Sequence, residues 1–240
     1  RRTLCRHVPR DRRRTMSKVL LTIGAGPGIS AATARKFGAN GYKVALVSLK
    51  QEESEKEKAA LAALGVEAIA LQADAADAAA VKKAIEATKE KLGPVTAVHY
   101  NAFALSGSDD AAAFINCCAV GCTGLLTVKK ELLADLKAQK GAILVTSSFV
   151  ASTGLPAEVE EFVAGLGLEG YCAGKAAQDR LTTQMAITLG KEGVFVGKVV
   201  VAVRAARTRA LPAPIAAALT ELVAVATGQS QGHCVRPGRC

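Results

Sequence analysis

The sequence contains no Trp, with only 3 Tyr and 6 Phe, so its core must be packed from Ala, Val, Leu and Ile rather than around aromatic rings. Paired Cys-x-x-Cys spacing is absent. The 7 Cys stand scattered at positions 5, 117, 118, 122, 172, 234 and 240, and His7, His99 and His233 do not cluster with acids. A zinc site or a disulfide framework is therefore not expected, and the thiols read as reduced and mostly buried. Cys172, beside Tyr171, is the one thiol singled out for reactivity. No apolar run approaches the roughly 18 residues that a membrane span requires, so a soluble chain without a span is expected.

Acidic residues are also in short supply, with 21 Asp and Glu against 31 Lys and Arg, for a net charge of +10. The excess sits at the ends. Residues 1–15 hold seven Arg and one Asp, and Arg236 and Arg239 follow near the C-terminus, leaving +2 for residues 16–235. A basic groove on the folded body is not supported, and a nucleic-acid partner is not expected. Met16, followed by "SKVLLTIGAG", reads as a beginning. Residues 1–15 are then a flexible basic arm, upstream translated sequence or a targeting remnant. A targeting remnant would place the protein in a mitochondrial or plastid matrix; otherwise a cytoplasmic protein is expected.

What is present is a regular alternation. Apolar, β-branched runs at Val19–Ile23, Lys43–Ser48, Glu67–Leu71, Val95–Tyr100, Ala142–Ser147 and Val194–Val203 read as six strands. Between them lie helical patterns at Ile29–Asn40, 51–64, Asp77–Leu92, a long stretch ending near Lys140, and Tyr171–Lys191. Strands apolar on both faces, separated by helices, predict an α/β fold with one doubly wound parallel sheet in the order 3-2-1-4-5-6. One domain is expected over 16–227, with 228–240 a divergent or disordered tail.

The first strand runs into "GAGPGIS", Gly24 to Ser30, and on into a helix. Glycines there let the backbone turn sharply and approach a pyrophosphate, and the free N–H groups of the helix N-terminus favour its charge. With "ADA" at Ala73–Ala75, "YNAF" from Tyr100, "ILVTSS" at Ile143–Ser148 and "YCAGK" at Tyr171–Lys175, the chain resembles the short-chain dehydrogenase/reductase family over roughly residues 18–203. It is similar to the divergent branch whose first turn reads Gly-x-Gly-Pro-Gly. The family's glycine pattern falls on Gly24, Gly28 and Ser30, so a Ser replaces the third glycine.

That resemblance implies a Rossmann-fold oxidoreductase passing hydride between a nicotinamide dinucleotide and a carbonyl or secondary alcohol. Gly24, Gly26, Gly28, Ile29, Asp74, Ala75 and Asn101 would bind the cofactor, with Asp74 near the adenine and Asn101 supporting the cofactor side of the cleft. Tyr171 would be the acid/base, and Lys175 would tune it and hold the nicotinamide ribose. Ser148, helped by Ser147, would orient the substrate oxygen. An ammonium one helical turn away, together with the positive nicotinamide of the oxidised complex, is expected to lower the tyrosine pKa. At the end of the second strand Ser48 stands where an acid would select NAD(H). Lys50 follows two residues on, favouring NADP(H), although Leu49 holds the usual Arg position. A homo-dimer or homo-tetramer is implied by resemblance.

The chain departs from the family pattern in three places. The family's Asn on the helix before strand five aligns with Gly121, leaving its water relay missing or rebuilt by Asn116. Ser148 and Tyr171 are 23 positions apart, about ten more than is usual in the family. The extra residues carry Glu158, Glu160, Glu161 and Glu169, which reads as a substrate lid or, slightly preferred, a solvated excursion. The Pro-Gly expected after strand six is missing. An alternative function is therefore a catalytically degenerate, dinucleotide-binding structural or redox-sensing subunit.

Overall fold

A computed structural model describes residues 18–105, 111–155, 157–165 and 167–201. The basic N-terminal arm, the C-terminal tail and the last two residues expected in strand six lie outside them. Six strands, β1 (Val19–Ile23), β2 (Lys43–Ser48), β3 (Ala68–Gln72), β4 (Ala97–Tyr100), β5 (Ala142–Ser148) and β6 (Phe195–Val201), form one parallel sheet ordered β3-β2-β1-β4-β5-β6. This is the order that the alternation predicted.

Alternate residues along each strand enter different cores, as the two-residue period requires. Leu21, Ile23, Tyr100 and Val145 join helices α3 (Ala78–Leu92), α5 (Gly124–Gln139) and α7 (Glu169–Gly190) on one face. Leu20, Leu46 and Leu144 meet α1 (Ile29–Ala39) and α2 (Gln51–Ala62) on the other. In α5 the stripe Leu125, Val128, Leu132, Leu136 is fully buried, and each such side chain contributes roughly 1.5–3 kcal/mol. Helix ends follow local chemistry. Asp77 caps α3 by accepting from the backbone N–H groups of Ala79 at 2.8 Å and Ala80 at 3.1 Å, and Gly93, at φ 98°, ends it.

The long helical stretch is α4 (Ala111–Cys118), a π-helical turn at Ala119–Thr123, and α5. Its 29 residues include an 18-residue window of mean hydropathy 1.8, long and apolar enough to cross a membrane by length and composition. That corrects the expectation from apolar runs: residues 111–128 carry no charge, but Asn116, Thr123 and the glycines interrupt the run. Only 33% of the window is buried; Cys117, Val120, Leu125 and Val128 face inward, and Phe114, Ile115 and Leu126 are exposed. Ahead of α7, the extra residues form a 3-10 turn at Phe149–Ala151 and a helix, α6 (Ala157–Ala164).

Candidate active site

The cleft opens at the carboxyl ends of β1, β4 and β5, where the strand order reverses across β1. The glycine turn is pinned to β2 by the N–H groups of Gly24 and Ala25, which both donate to Val47 O, at 2.9 and 2.8 Å. Gly24 has φ 85°, and a Cβ on it would strike the Ala102 backbone, so glycine is required there by the neighbouring strand end rather than by a ligand. Asn101 completes that junction: its Nδ2 donates to Gly24 O at 3.0 Å. Ser30, at the family's third glycine, is buried and locks the turn through Gly26. Its Oγ donates to Gly26 O at 2.7 Å and accepts from Gly26 N at 2.9 Å.

Gly28, φ 93°, is the N-cap of α1, and a Cβ on it would meet nothing within 4 Å. No side chain caps α1. Its first N–H groups, from Ile29 onward, are thus left for an anion. An open glycine edge and an uncapped helix start fit a dinucleotide pyrophosphate.

Two adjoining cavities share Pro27, Asn101 and Phe103. The first, about 380 Å3, is lined by Gly24, Gly26, Ser48, Leu49, Glu53, Asp74 and Ala75, among others. Asp74 Oδ1 accepts from Ala76 N at 2.8 Å, which fixes the turn beside the cavity. Lys50 is not among the lining residues. It is exposed and serves as the N-cap residue of α2, its N–H donating to Ser48 Oγ at 3.2 Å. Instead Glu53, in the first turn of α2, presents its carboxylate: its Oε2 lies 3.4 Å from Ser48 Oγ, whose hydrogen has Lys50 O nearer at 2.9 Å, and a Cβ on Gly26 would stand 3.5 Å from that Oε2. The sequence reading missed Glu53, although the acidic first turn of α2 was its visible signal.

The second cavity, about 420 Å3, gathers Gly28, Ile29, Asn101, Ser148, Tyr171 and Lys175. Of the described residues in 149–170, none lines it. The added segment instead flanks a third hollow beside Cys172, with Val150, Ser152, Leu155 and Glu160. Ser147 lines the same cavity as Ser148 but directs its hydroxyl hydrogen elsewhere. It is buried and donates to Asp179 Oδ1, while the Lys198 ammonium pairs with Asp179 Oδ2, tying β5, α7 and β6 together.

Lys175 is 4% exposed, and its Nζ donates to Thr146 O at 3.1 Å and to Gln178 Oε1 at 3.0 Å. The ammonium lies 5.9 Å from the centre of the Tyr171 ring. Burial lowers the Lys175 pKa, against the opposing pull of Cys117, Asp179 and Cys122. The lowering of Tyr171 is expected with the oxidised nicotinamide beside it; in the chain alone burial, with the neighbouring Cys117 and Cys172, pushes the phenol up to about 12. Desolvation dominates, and two of the three ammonium hydrogens of Lys175 are directed at Thr146 O and Gln178 Oε1. Tyr171 is thus a protonated phenol at neutral pH. Burial and Glu169 raise the Cys172 pKa, which lowers its thiolate fraction. Asn116 is exposed, and the bond to Gly121 O comes from Gln178 Nε2, at 2.9 Å. Gln178 and Asp179, three and four positions beyond Lys175, were signalled only by helical spacing.

A doubly wound sheet with a glycine turn and an uncapped helix start, and with Ser148, Tyr171 and Lys175 gathered at its switch point, defines a dinucleotide-binding α/β domain. The family model for short chain dehydrogenases matches residues 18–211. Among similar proteins, 2-(S)-hydroxypropyl-CoM dehydrogenase 3 of Xanthobacter autotrophicus is 33% identical over 191 residues, 78% of this chain and 71% of that protein. Meso-2,3-butanediol dehydrogenase of Serratia marcescens is 32% identical over 193 residues, 76% and 70% of the two chains. A short-chain dehydrogenase structure from Rhodopseudomonas palustris superposes with TM-score 0.71 at 20% identity, covering 86% of this chain and 92% of that one. The chain belongs to the short-chain dehydrogenase/reductase family, whose members are nicotinamide-dependent oxidoreductases.

Proposed function

We propose that this protein interconverts a carbonyl and a secondary alcohol using a nicotinamide dinucleotide, with Tyr171 as proton donor and acceptor. The observation that carries the reading is that Ser148, Tyr171 and Lys175, from β5 and α7, line the same cavity as Gly28, Ile29 and Asn101. When bound, the dinucleotide supplies the hydride chemistry. Gly26, Gly28 and Ile29 would hold its pyrophosphate, Asp74 and Ala75 its adenine end, and Lys175 its nicotinamide ribose.

Tyr171 holds its proton at neutral pH, as carbonyl reduction requires of an acid. Ser148 orients the substrate oxygen and stabilises charge developing on it. The names of the two curated relatives both describe secondary alcohols with a neighbouring heteroatom, so small hydroxy-ketones and 2-ketothioethers are the first substrates to try.

In place of Lys50 and NADP(H), we infer a preference for NAD(H). A carboxylate accepts hydrogen bonds from a ribose diol and repels a 2′-phosphate, and Glu53 borders the first cavity where Lys50 does not. Exposed Phe114, Ile115 and Leu126 on one continuous helix support a homo-oligomer. The test is hydride transfer from NADH and NADPH to a panel of such ketones, followed at the nicotinamide absorbance. Turnover faster with NADH is expected. Tight cofactor binding without turnover of any ketone or alcohol would overturn the enzyme reading.

A further inference from the structure

Gln178 is fully buried, yet both ends of its amide are used. Oε1 accepts from Lys175 Nζ at 3.0 Å, and Nε2 donates to Gly121 O at 2.9 Å. Gly121 lies in the π-helical turn, whose five-residue hydrogen bonding, seen in Gly124 N donating to Ala119 O, disturbs the regular carbonyl pairing. Two of its carbonyls take side-chain donors instead: Val120 O from the Tyr100 hydroxyl and Gly121 O from Gln178. A Cβ at 121 would already stand 3.5 Å from Gln178 Nε2. A longer side chain turned that way would press on the amide, so glycine at 121 and glutamine at 178 fit as a pair.

We propose that Gln178 is a positioning residue for the reaction: its amide bridges Lys175 Nζ to the backbone of the π turn and so fixes the ammonium beside Tyr171. The inference rests on the reading of Tyr171 and Lys175 as acid/base and tuner. An amide neither takes up nor releases a proton near neutrality, so Gln178 orients Lys175 and conducts nothing. The other titratable groups around Lys175 are Asp179 and Tyr171 on α7, Cys117 on α4 and Cys122 in the π turn. Asp179 is engaged by Ser147 and Lys198. Gln178 is therefore the side-chain acceptor that bears directly on Nζ.

The test compares Gln178→Leu with Gln178→Glu in the full chain, after thermal melts have established that both fold. One readout is kcat, KM and the pH profile of ketone reduction. The other is the titration of Lys175 followed by NMR of 13Cε-labelled lysine, assigned with Lys175→Met, which needs no turnover. Leu removes the acceptor, so kcat should fall roughly tenfold to a hundredfold with ketone KM within about twofold, and Lys175 should titrate at lower pH. Glu keeps an acceptor for the ammonium, so Lys175 should titrate at higher pH, with kcat above that of the Leu variant.

A role in packing alone predicts the reverse order in kcat, because Leu suits a buried site better than a carboxylate facing Gly121 O. That order, with the Lys175 titration unmoved by either change, would overturn the proposal. If the titration follows the expected order while even the wild type reduces nothing, Gln178 does position Lys175 and the oxidoreductase reading is what has failed.

Discussion

On the β1–β3 side of the cleft the working parts are mainly backbone: a glycine turn hung from Val47 O, the uncapped start of α1, and a carbonyl held by Asn101. On the β4–β6 side they are side chains held by other side chains. Lys175 is held by Gln178 and the Thr146 carbonyl, and Ser147 and Lys198 both by Asp179. Backbone sites fail when a Cβ intrudes. Side-chain sites fail when a partner is removed, and changes in each half should therefore separate cofactor binding from chemistry.

After Tyr171, the largest effect is expected from Ser148→Ala, which removes the donor proposed to face the substrate oxygen: kcat should fall about 10²–10³-fold with cofactor affinity little changed, as stopped-flow hydride transfer would register. On the backbone side, Gly24→Ala and Gly28→Ala make a matched pair. Both have positive φ, but a Cβ on Gly24 meets Ala102 Cα at 2.6 Å and one on Gly28 meets nothing within 4 Å. Denaturant titration should show Gly24→Ala destabilised by about 3 kcal/mol. Gly28→Ala should lose less stability and more dinucleotide affinity.

A further effect appears only in acid. His99, 1% exposed, has Nε2 3.0 Å from Thr146 Oγ1, and its Nδ1 finds no partner among the described residues. Burial lowers its pKa from 6.5 to about 4. The folded state holds the ring neutral, so its contribution is complete above pH 6.5 and is lost as pH falls toward 4, where the unfolded chain binds the extra proton. The loss is up to about 3 kcal/mol across that window, and His99→Asn should flatten it in denaturant titrations at successive pH values. The smallest effect is expected from Glu53→Gln, which should lower the preference for NADH over NADPH about tenfold, measured as a ratio of kcat/KM.

The same contrast governs what the sequence made legible. Strand order and the glycine turn came from local patterns, period-two apolar runs and glycine after a strand, and local patterns are what one chain displays. Ser148, Tyr171 and Lys175 could be named for the same reason: each lies in a short motif. Their supporting residues were hidden because support comes from distant elements. Nothing near Gly121 announces a bond to Gln178, 57 positions away, and nothing in "TSS" says that Ser147 turns to Asp179. Lys50 stands outside the first cavity because sequence proximity to β2 is not orientation. The helix that begins there turns Lys50 to solvent and brings Glu53 around to the cavity. A one-turn spacing gives the distance from Tyr171 to Lys175 but neither the acceptors of the ammonium nor the burial that raises the phenol's pKa in the chain alone.

If Tyr171 acts in chemistry while the other half of the cleft holds the dinucleotide, Tyr171→Phe separates the two. Single-turnover hydride transfer and NADH affinity, measured side by side in that variant, should show NADH affinity within about threefold of wild type and hydride transfer slowed by roughly 10²–10⁴-fold. Transfer at the wild-type rate in Tyr171→Phe would contradict that role.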